Sequence, residues 1–465
     1  MTATSRIALL AATTAMTLSA CTLAPRYERS ALPVPDQFAN APTAARASAD
    51  SLPWRQVILD TRLQAVVEQA LGNNRDLRVA VLNVERARAQ YRIQRAGLFP
   101  SVNATVAETR GDIPPAGKTD VYTANIGASW ELDLFGRVRS LNKAALQTYF
   151  AVKANSDAAR ISLISAVSSA WLNLAADQEQ LKLSRDTLAS REQSLTIVQK
   201  RFDLGTSDQL TLRQTQILTE QARTDVATLQ ATVQQDLNAL RLLVGAEVSP
   251  DLLPATFPEN AVLSDLPVGL PSQVLLKRPD VMAAEYTLKA ANADIGAARA
   301  AFFPTISLTG SVGKASADLD HLFDGADTWT FTPSISVPIF AGGANMANLK
   351  GTRAGRDIAL AQYEGAIQSA FRDVSDQLAT RATIDDRLAA QTRTVEAATD
   401  STAIAQARFD RGVDSLLTLT DSQRTLYGAQ QSLIATRLIR SLNLINLYTA
   451  LGGDVQADTA PLPRR

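Results

Sequence analysis

The chain has 465 residues, with 46 basic and 46 acidic side chains, so it carries no net field that would draw nucleic acid or another polyanion. It holds one His and one Cys, which argues against zinc, haem and Ser-His or Cys-His chemistry, because such sites need several converging ligands or a His partner. No enzyme activity, cofactor or metal is expected. His321 lies alone in an acidic, turn-rich segment and reads as a solvated loop histidine.

No run of about 20 apolar residues follows the N-terminus, so no transmembrane helix is predicted, which leaves a β-barrel route into the membrane open. Residues 1–20 have one basic residue, Arg6, then an apolar run from Ile7 to Leu18, and read as a secretory signal. The exit Leu18-Ser19-Ala20-Cys21 resembles the lipobox of bacterial lipoproteins. That resemblance implies that Cys21 becomes the mature N-terminus and carries acyl chains, with Thr22 directing the protein to the outer membrane. Residues 21–60 form a lipidated leader, and Pro25, Pro33, Pro35, Pro42 and Pro53 exclude a long helix there.

The first repeat is assigned to residues 61–245. A helical pattern runs from Leu63 to Leu98, broken at Gly72-Asn73-Asn74 and ended by Pro100. The period then changes from 3.6 to 2. Val102, Ala104 and Val106 alternate with polar residues, a turn-rich loop is expected over Gly111–Gly117, and within Val121 to Leu134 the even positions are apolar while Thr123, Asn125, Ser129, Glu131 and Asp133 take odd ones. Trp and Tyr stand near the strand ends, where aromatic girdles sit on membrane barrels, although the edge of a soluble sandwich alternates in the same way.

Arg137 to Phe202 holds no Gly or Pro, and Val167, Leu174, Leu181, Leu188, Leu195 and Phe202 repeat every seven residues as in a coiled coil. The pentapeptide Arg201-Phe202-Asp203-Leu204-Gly205 then reads as a reversal: Gly205 supplies a left-handed C-cap and Thr206-Ser207-Asp208 the next N-cap. The returning helix passes Leu212, Val226, Val233 and Leu240 and stops at Val244-Gly245.

Residues 246–271, with five prolines, are read as a linker, and residues 272–453 as a second repeat followed by a tail, 454–465. Asp280 to Phe303 is a helix. Ile306, Leu308 and Val312, then Trp329, Phe331, Ile335, Val337 and Ile339, mark a second hairpin. Ile367, Val374, Arg381, Leu388, Val395, Thr402 and Phe409 form the second seven-residue row. The reversal Arg408-Phe409-Asp410-Arg411-Gly412 lies 207 residues after the first, with Asp414-Ser415 as the N-cap. The fold expected is therefore an α+β membrane protein with a tandem duplication.

Four strands with one apolar face cannot close a barrel, and open edges cannot face lipid, so further copies must complete the sheet. Two copies give eight strands and a filled interior; three give twelve strands and room for an aqueous channel, continued by a helical tube.

At this point the residues resemble the TolC-like outer membrane factors, in the lipoprotein branch that serves RND-type efflux pumps. The resemblance rests on Cys21 to Arg29, Leu132-Asp133-Leu134-Phe135-Gly136-Arg137, Arg278-Pro279-Asp280-Val281-Met282-Ala283-Ala284-Glu285 and Ile295 to Pro304. Ser30 stands where the branch commonly has Pro, and Trp54-Arg55 where it often has two Trp. The resemblance implies a homotrimer with a 12-strand barrel among outer-membrane lipids and a periplasmic 12-helix barrel. Its partners would be a periplasmic adaptor protein and an inner-membrane RND pump.

The implied function is a passive exit duct for drugs or other small toxic compounds. Leu417 and Asp421 match the constricting positions of the periplasmic gate, and Arg424 a residue that tethers its closed state, while Thr418 replaces a second Asp found in a relative. The tips Arg201, Gly205, Thr206, Ser207 and Asp208, with Arg408, Gly412, Val413, Asp414 and Ser415, would meet the adaptor. The competing readings are a pore-less envelope coiled-coil lipoprotein and a secreted hydrolase; the hydrolase lacks a His partner.

Overall fold

In the computed structural model, residues 22–39, 53–113, 117–263 and 272–453 are described. Cys21, the signal segment and the C-terminal tail lie outside the described residues. The chain divides into two units, each drawing on both repeats. One comprises the chain up to Ala31 with Leu82–Ala154 and Met282–Ala366; the other comprises Leu32–Val81, Asn155–Val281 and the chain from Ile367.

After a single helical turn at Trp54–Val57, helix α1 spans Thr61–Asn73 and α2 spans Arg75–Ala96. The Asp60 carboxylate caps α1 by accepting from the Arg62 and Leu63 amides. Leu63, Val66, Val67 and Ala70 form the buried stripe of α1, as a 3.6-residue period requires. The expected break falls at Asn74. Its side-chain oxygen accepts from the Leu77 amide to start α2, and its amide group donates to the Leu243 carbonyl.

Strands β1 (Ser101–Ile113), β2 (Gly117–Leu132), β3 (Thr305–Ser316) and β4 (Ala326–Ser336) form one antiparallel sheet in the order β1-β2-β3-β4. Of the turn-rich loop expected over Gly111–Gly117, residues 111–113 and 117 are strand, with Gly111 paired with Thr119, Asp112 with Lys118 and Ile113 with Gly117, while residues 114–116 lie outside the described residues. Turn propensity there yields to the hydrogen-bonded ladder, which propagates past the glycine once register is set. At the other end, β2 stops two residues short of the expected Leu134. Asp133 leaves the strand because its carboxylate caps the next helix, accepting from the Val138 and Arg139 amides. Val337 and Ile339 likewise fall beyond β4. Pro333 lies within β4 opposite Leu308, in the strand that has one partner within the chain.

Helices α3 (Arg137–Asp203) and α4 (Gln209–Val244) form the first long pair, and α6 (Ala344–Asp410) and α7 (Leu416–Ala450) the second; α5 spans Pro279–Ala300. Among the described residues, no helix is long and apolar enough to cross a membrane.

Val167, Leu174 and Leu181 are buried as the seven-residue row predicts, but Leu188 and Leu195 are half-buried and Phe202 is exposed. The buried row in that part of α3 is instead Ser184, Arg191 and Val198. The Ser184 hydroxyl meets the Tyr427 hydroxyl on α7, and the Arg191 carbonyl accepts from Thr219 on α4. A heptad has two core positions, and within one chain the second is the better covered. The duplicated row Gln391, Ala398 and Ala405 behaves alike, with both alanines buried.

The proline-rich linker is an ordered brace over its described part. Leu252 accepts from the Trp171 indole, Phe257 donates its amide to Glu179, and Val262 bridges Ile58.

Candidate functional site: the sheet face and the two reversals

The register places most of the large apolar side chains of the sheet on one side, with Val121, opposite Thr109, on the other. Val102 opposes Ala128, Ile126 opposes Val312, Trp130 opposes Leu308, and Val312 opposes Trp329. In the single chain Val102, Val106, Ile126, Val312, Trp329, Phe331 and Ile335 are all more than half exposed. The opposite side carries Asn103, Thr105, Asn125, Ser129, Thr309, Ser311 and Thr330. Ser311 and Thr330 share a hydrogen bond across strands, as do Ser101 and Ser129. The apolar side has no covering layer among the described residues, and β1 and β4 have unpaired edges there. A water-facing sheet would not expose two aromatic residues and a row of valines and isoleucines on one face; hydrocarbon provides an environment that does not penalise it.

Both reversals are built by the same backbone device. At the end of α3 the Thr206 amide donates to the Arg201 carbonyl and the Gly205 amide to Phe202; at the end of α6 the Val413 amide donates to Arg408 and the Gly412 amide to Phe409. This paired closure requires a left-handed residue, and Gly205 and Gly412 have φ of 72° and 73°. The predicted glycine caps are therefore present.

The N-caps differ. Asp208 accepts from both the amide and the hydroxyl of Thr211, at 2.8 and 2.9 Å, and these bonds hold its carboxyl below the usual range. Ser415 caps α7 through the Thr418 amide at a longer 3.4 Å. Asp414 takes no capping role: Arg408 grips it with two bonds of 2.7 and 2.9 Å, which lower its pKa. Thr206 returns its hydroxyl to the Arg201 carbonyl, and Ser207 is half-buried beside it. The Arg201 guanidinium lies over the Phe409 ring at 5.3 Å, which brings the two reversals together.

Leu417, Asp421 and Arg424 follow on one face of α7 at helical spacing. Leu417 is 74% exposed and borders a hollow of about 210 Å³ with Gln214, Ile217 and Leu218 of α4. Asp421 pairs with Arg424 within the helix, both largely exposed, so solvent screens the pair. The structure thus brings these three together on one chain, with Leu417 largely exposed.

Sequence reasoning missed a clasp between the leader and α5. The Glu285 carboxylate accepts from the Tyr27 hydroxyl at 3.0 Å, from Arg29 at 2.9 and 3.0 Å, and pairs with Lys289 at 3.0 Å. Burial pushes the carboxyl up, but the bonds from Lys289, Arg29 and Tyr27 outweigh it and hold the pKa below its ordinary value. Farther along α5, Asn292 donates to the Pro25 carbonyl and Arg299 to Leu23. A Cβ on Gly296 would meet the Ala24 backbone nitrogen at 2.8 Å, so glycine is required for this close approach. The leader therefore runs antiparallel to α5, and residues 22–24 lie at the end of that helix that leads into β3. The signal was the pattern Glu285, Asn292, Gly296 and Arg299, one helix face, which only a known partner strand makes meaningful.

Arg278, which opens one of the family-like motifs, ties α5 to the second long pair. It is buried, pairs with Asp280 at 2.7 Å, reaches Asp373 at 3.4 Å and donates to the Ala450 carbonyl at the end of α7.

A four-stranded sheet with a lipid-type face, joined in one duplicated chain to two long helical hairpins, defines a membrane protein of the β-sheet type. Comparison with known proteins agrees. The family model for outer membrane efflux proteins matches residues 66–246 and 270–453. The toluene efflux pump outer membrane protein TtgC of Pseudomonas putida is 43% identical over 456 residues, covering 95% of this chain and 94% of that protein. The outer membrane protein OprJ of Pseudomonas aeruginosa is 42% identical over 450 residues, 94% of each. The open state of the Neisseria gonorrhoeae MtrE outer membrane channel superposes with a TM-score of 0.86 at 39% identity, over 94% of this chain and all of that one. The chain belongs to the outer membrane efflux protein family and is an outer-membrane component of an efflux system.

Proposed function

We propose that three copies of this chain close a 12-strand barrel in the outer membrane and a 12-helix periplasmic tube. This trimer would be the passive exit duct of a tripartite machine whose energy comes from an inner-membrane RND pump through a periplasmic adaptor. The observation that carries the reading is the sheet with one exposed apolar face and two unpaired edges, which lipid tolerates only when closure by other copies removes the edges. Twelve strands leave an aqueous bore where eight would be filled by side chains. Small toxic organic compounds, such as the toluene or antibiotics named for relatives, are the cargo class.

Cys21 anchors the chain by acyl groups. The clasp on α5 holds the leader's residues 22–24 where that helix enters the sheet, so anchor and strands share one membrane. Leu417 narrows the bore, Asp421 contributes one carboxylate per copy to a ring attractive to cations, and Arg424 restrains that carboxylate in the resting state. The residues of the two reversals, exposed from Arg201 to Thr206 and at Gly412 and Val413, receive the adaptor.

Heat-modifiable trimers with single-channel conductance in planar bilayers test the duct; monomers without conductance would refute it. For the gate, Asp421→Ala is expected to reduce cation preference and increase resting leak, and an unchanged channel would remove Asp421 from the gate.

A further inference from the structure

The two reversals are related by an offset of 207 residues, and this offset exposes an unfinished contact. Arg201 of the first repeat lays its guanidinium over Phe409 of the second. The repeat equivalents of these residues are Arg408 and Phe202. Within one chain that second pair is not made: Phe202 is 36% exposed, and Arg408, half exposed, is engaged by Asp414. In a closed ring in which first and second repeats alternate, each contact from first to second repeat inside a chain is followed by one from second repeat to the first repeat of the next chain. We propose that Arg408 of each copy stacks on Phe202 of the adjacent copy, completing a ring of six arginine–phenylalanine contacts around the reversals, three within chains and three between them. This inference rests on the trimer reading above.

Asp414 makes the contact more specific. A guanidinium binds a carboxylate along its edge and an aromatic ring through its face, so both partners can be held at once. Asp414 takes two edge nitrogens of Arg408, at 2.7 and 2.9 Å, and leaves the planar face free. The first repeat has Ser207 at the equivalent position, and Arg201 needs no such brace because its ring partner is in the same chain. Asp414 is thus a positioning residue that presents Arg408 to the neighbouring chain. The tips are held apart from coiled-coil packing by this polar and aromatic ring, whose strength is that of six separate contacts and not of a continuous apolar seam.

The test is capture between copies in isolated outer membranes with a short bismaleimide, whose spacer covers the Cα separation of an arginine–phenylalanine stack that a disulfide cannot span, using the full chain with Phe202→Cys and Arg408→Cys together and each alone. The expected result is covalent dimers and trimers on denaturing gels for the double variant after treatment, absent for either single variant. If only monomers form while a lysine-reactive cross-linker still captures trimers, the contact is wrong and the trimer stands. If neither treatment captures an oligomer, both fall. As a second measurement, Phe202→Leu, Arg408→Gln and Asp414→Asn should each increase the resting leak of reconstituted channels by roughly two- to fivefold, the weight of an exposed cation–π pair. A leak equal to the parent in Phe202→Leu and Arg408→Gln would overturn the proposal.

Discussion

Glu285→Gln isolates the leader clasp. The carboxylate is 7% exposed and serves three donors, Tyr27, Arg29 and Lys289. Glutamine keeps the volume but removes the charge, so the bonds from Arg29 and Lys289 lose their charge-assisted character. Hydrogen bonds to a charged group contribute about 1.5–3 kcal/mol each. Arg29 is about half exposed and rehydrates when released, so the net loss is at the lower end, about 2–3 kcal/mol for the clasp as a whole. The loss should appear locally: leader residues 22–29 become cleavable by added protease at lower urea, while α5 and the sheet keep their protection. The pH dependence follows from the lowered pKa. The folded-state carboxyl titrates below its unfolded value, so its stabilisation is full above the ordinary Glu pKa of about 4.3 and is lost as pH falls through the folded value. The parent leader should therefore loosen in acid and the variant should not change. Equal protease resistance in parent and Glu285→Gln at neutral pH would falsify the clasp.

Arg278→Ala removes a buried cation and leaves the Ala450 carbonyl without its donor, while Asp373 keeps Arg372 at 2.8 Å and the half-exposed Asp280 rehydrates. A loss of about 1–3 kcal/mol, the cost of one buried acceptor left unsatisfied, is expected by chemical denaturation, with Arg278→Lys intermediate because it cannot span all three acceptors. Among the left-handed glycines, Gly245→Ala should cost more than Gly205→Ala. Both need φ near 72°, but a Cβ at Gly245 would meet the Asn73 carbonyl at 2.7 Å, whereas nothing lies within 4 Å at Gly205; thermal melts of the two variants give the order. Asp177 is raised to about 7 by burial and by its hydrogen bond to Asp236 on the facing helix. Its folded pKa exceeds the unfolded value, so its contribution is complete below about pH 3.9 and is lost as pH rises through about 7. Asp177→Asn should consequently flatten the decline in melting temperature between pH 5 and pH 8, and an unchanged slope would rule out the pair as its source.

The sequence by itself determined the order of elements, the duplication and the two reversals. Each rests on a local rule: a 3.6 or 2.0 period, a glycine that must be left-handed, a proline that ends a helix. Gly205 and Gly412 fell at the predicted caps for that reason. The apolar face of the sheet was also legible, because alternation in β1 to β4 needs no knowledge of partners.

What remained for the tertiary structure to decide was every feature that depends on which segment lies opposite. The ladder extended β1 through Gly111 against local turn preference, and Asp133 left β2 to cap α3. The buried heptad position near the tips became Ser184, Arg191 and Val198 in place of Leu188, Leu195 and Phe202. The clasp at Glu285 joins residues more than 250 positions apart. No periodicity records such a pairing, since its energy arises only when folding brings a leader of otherwise ordinary sequence against one face of α5.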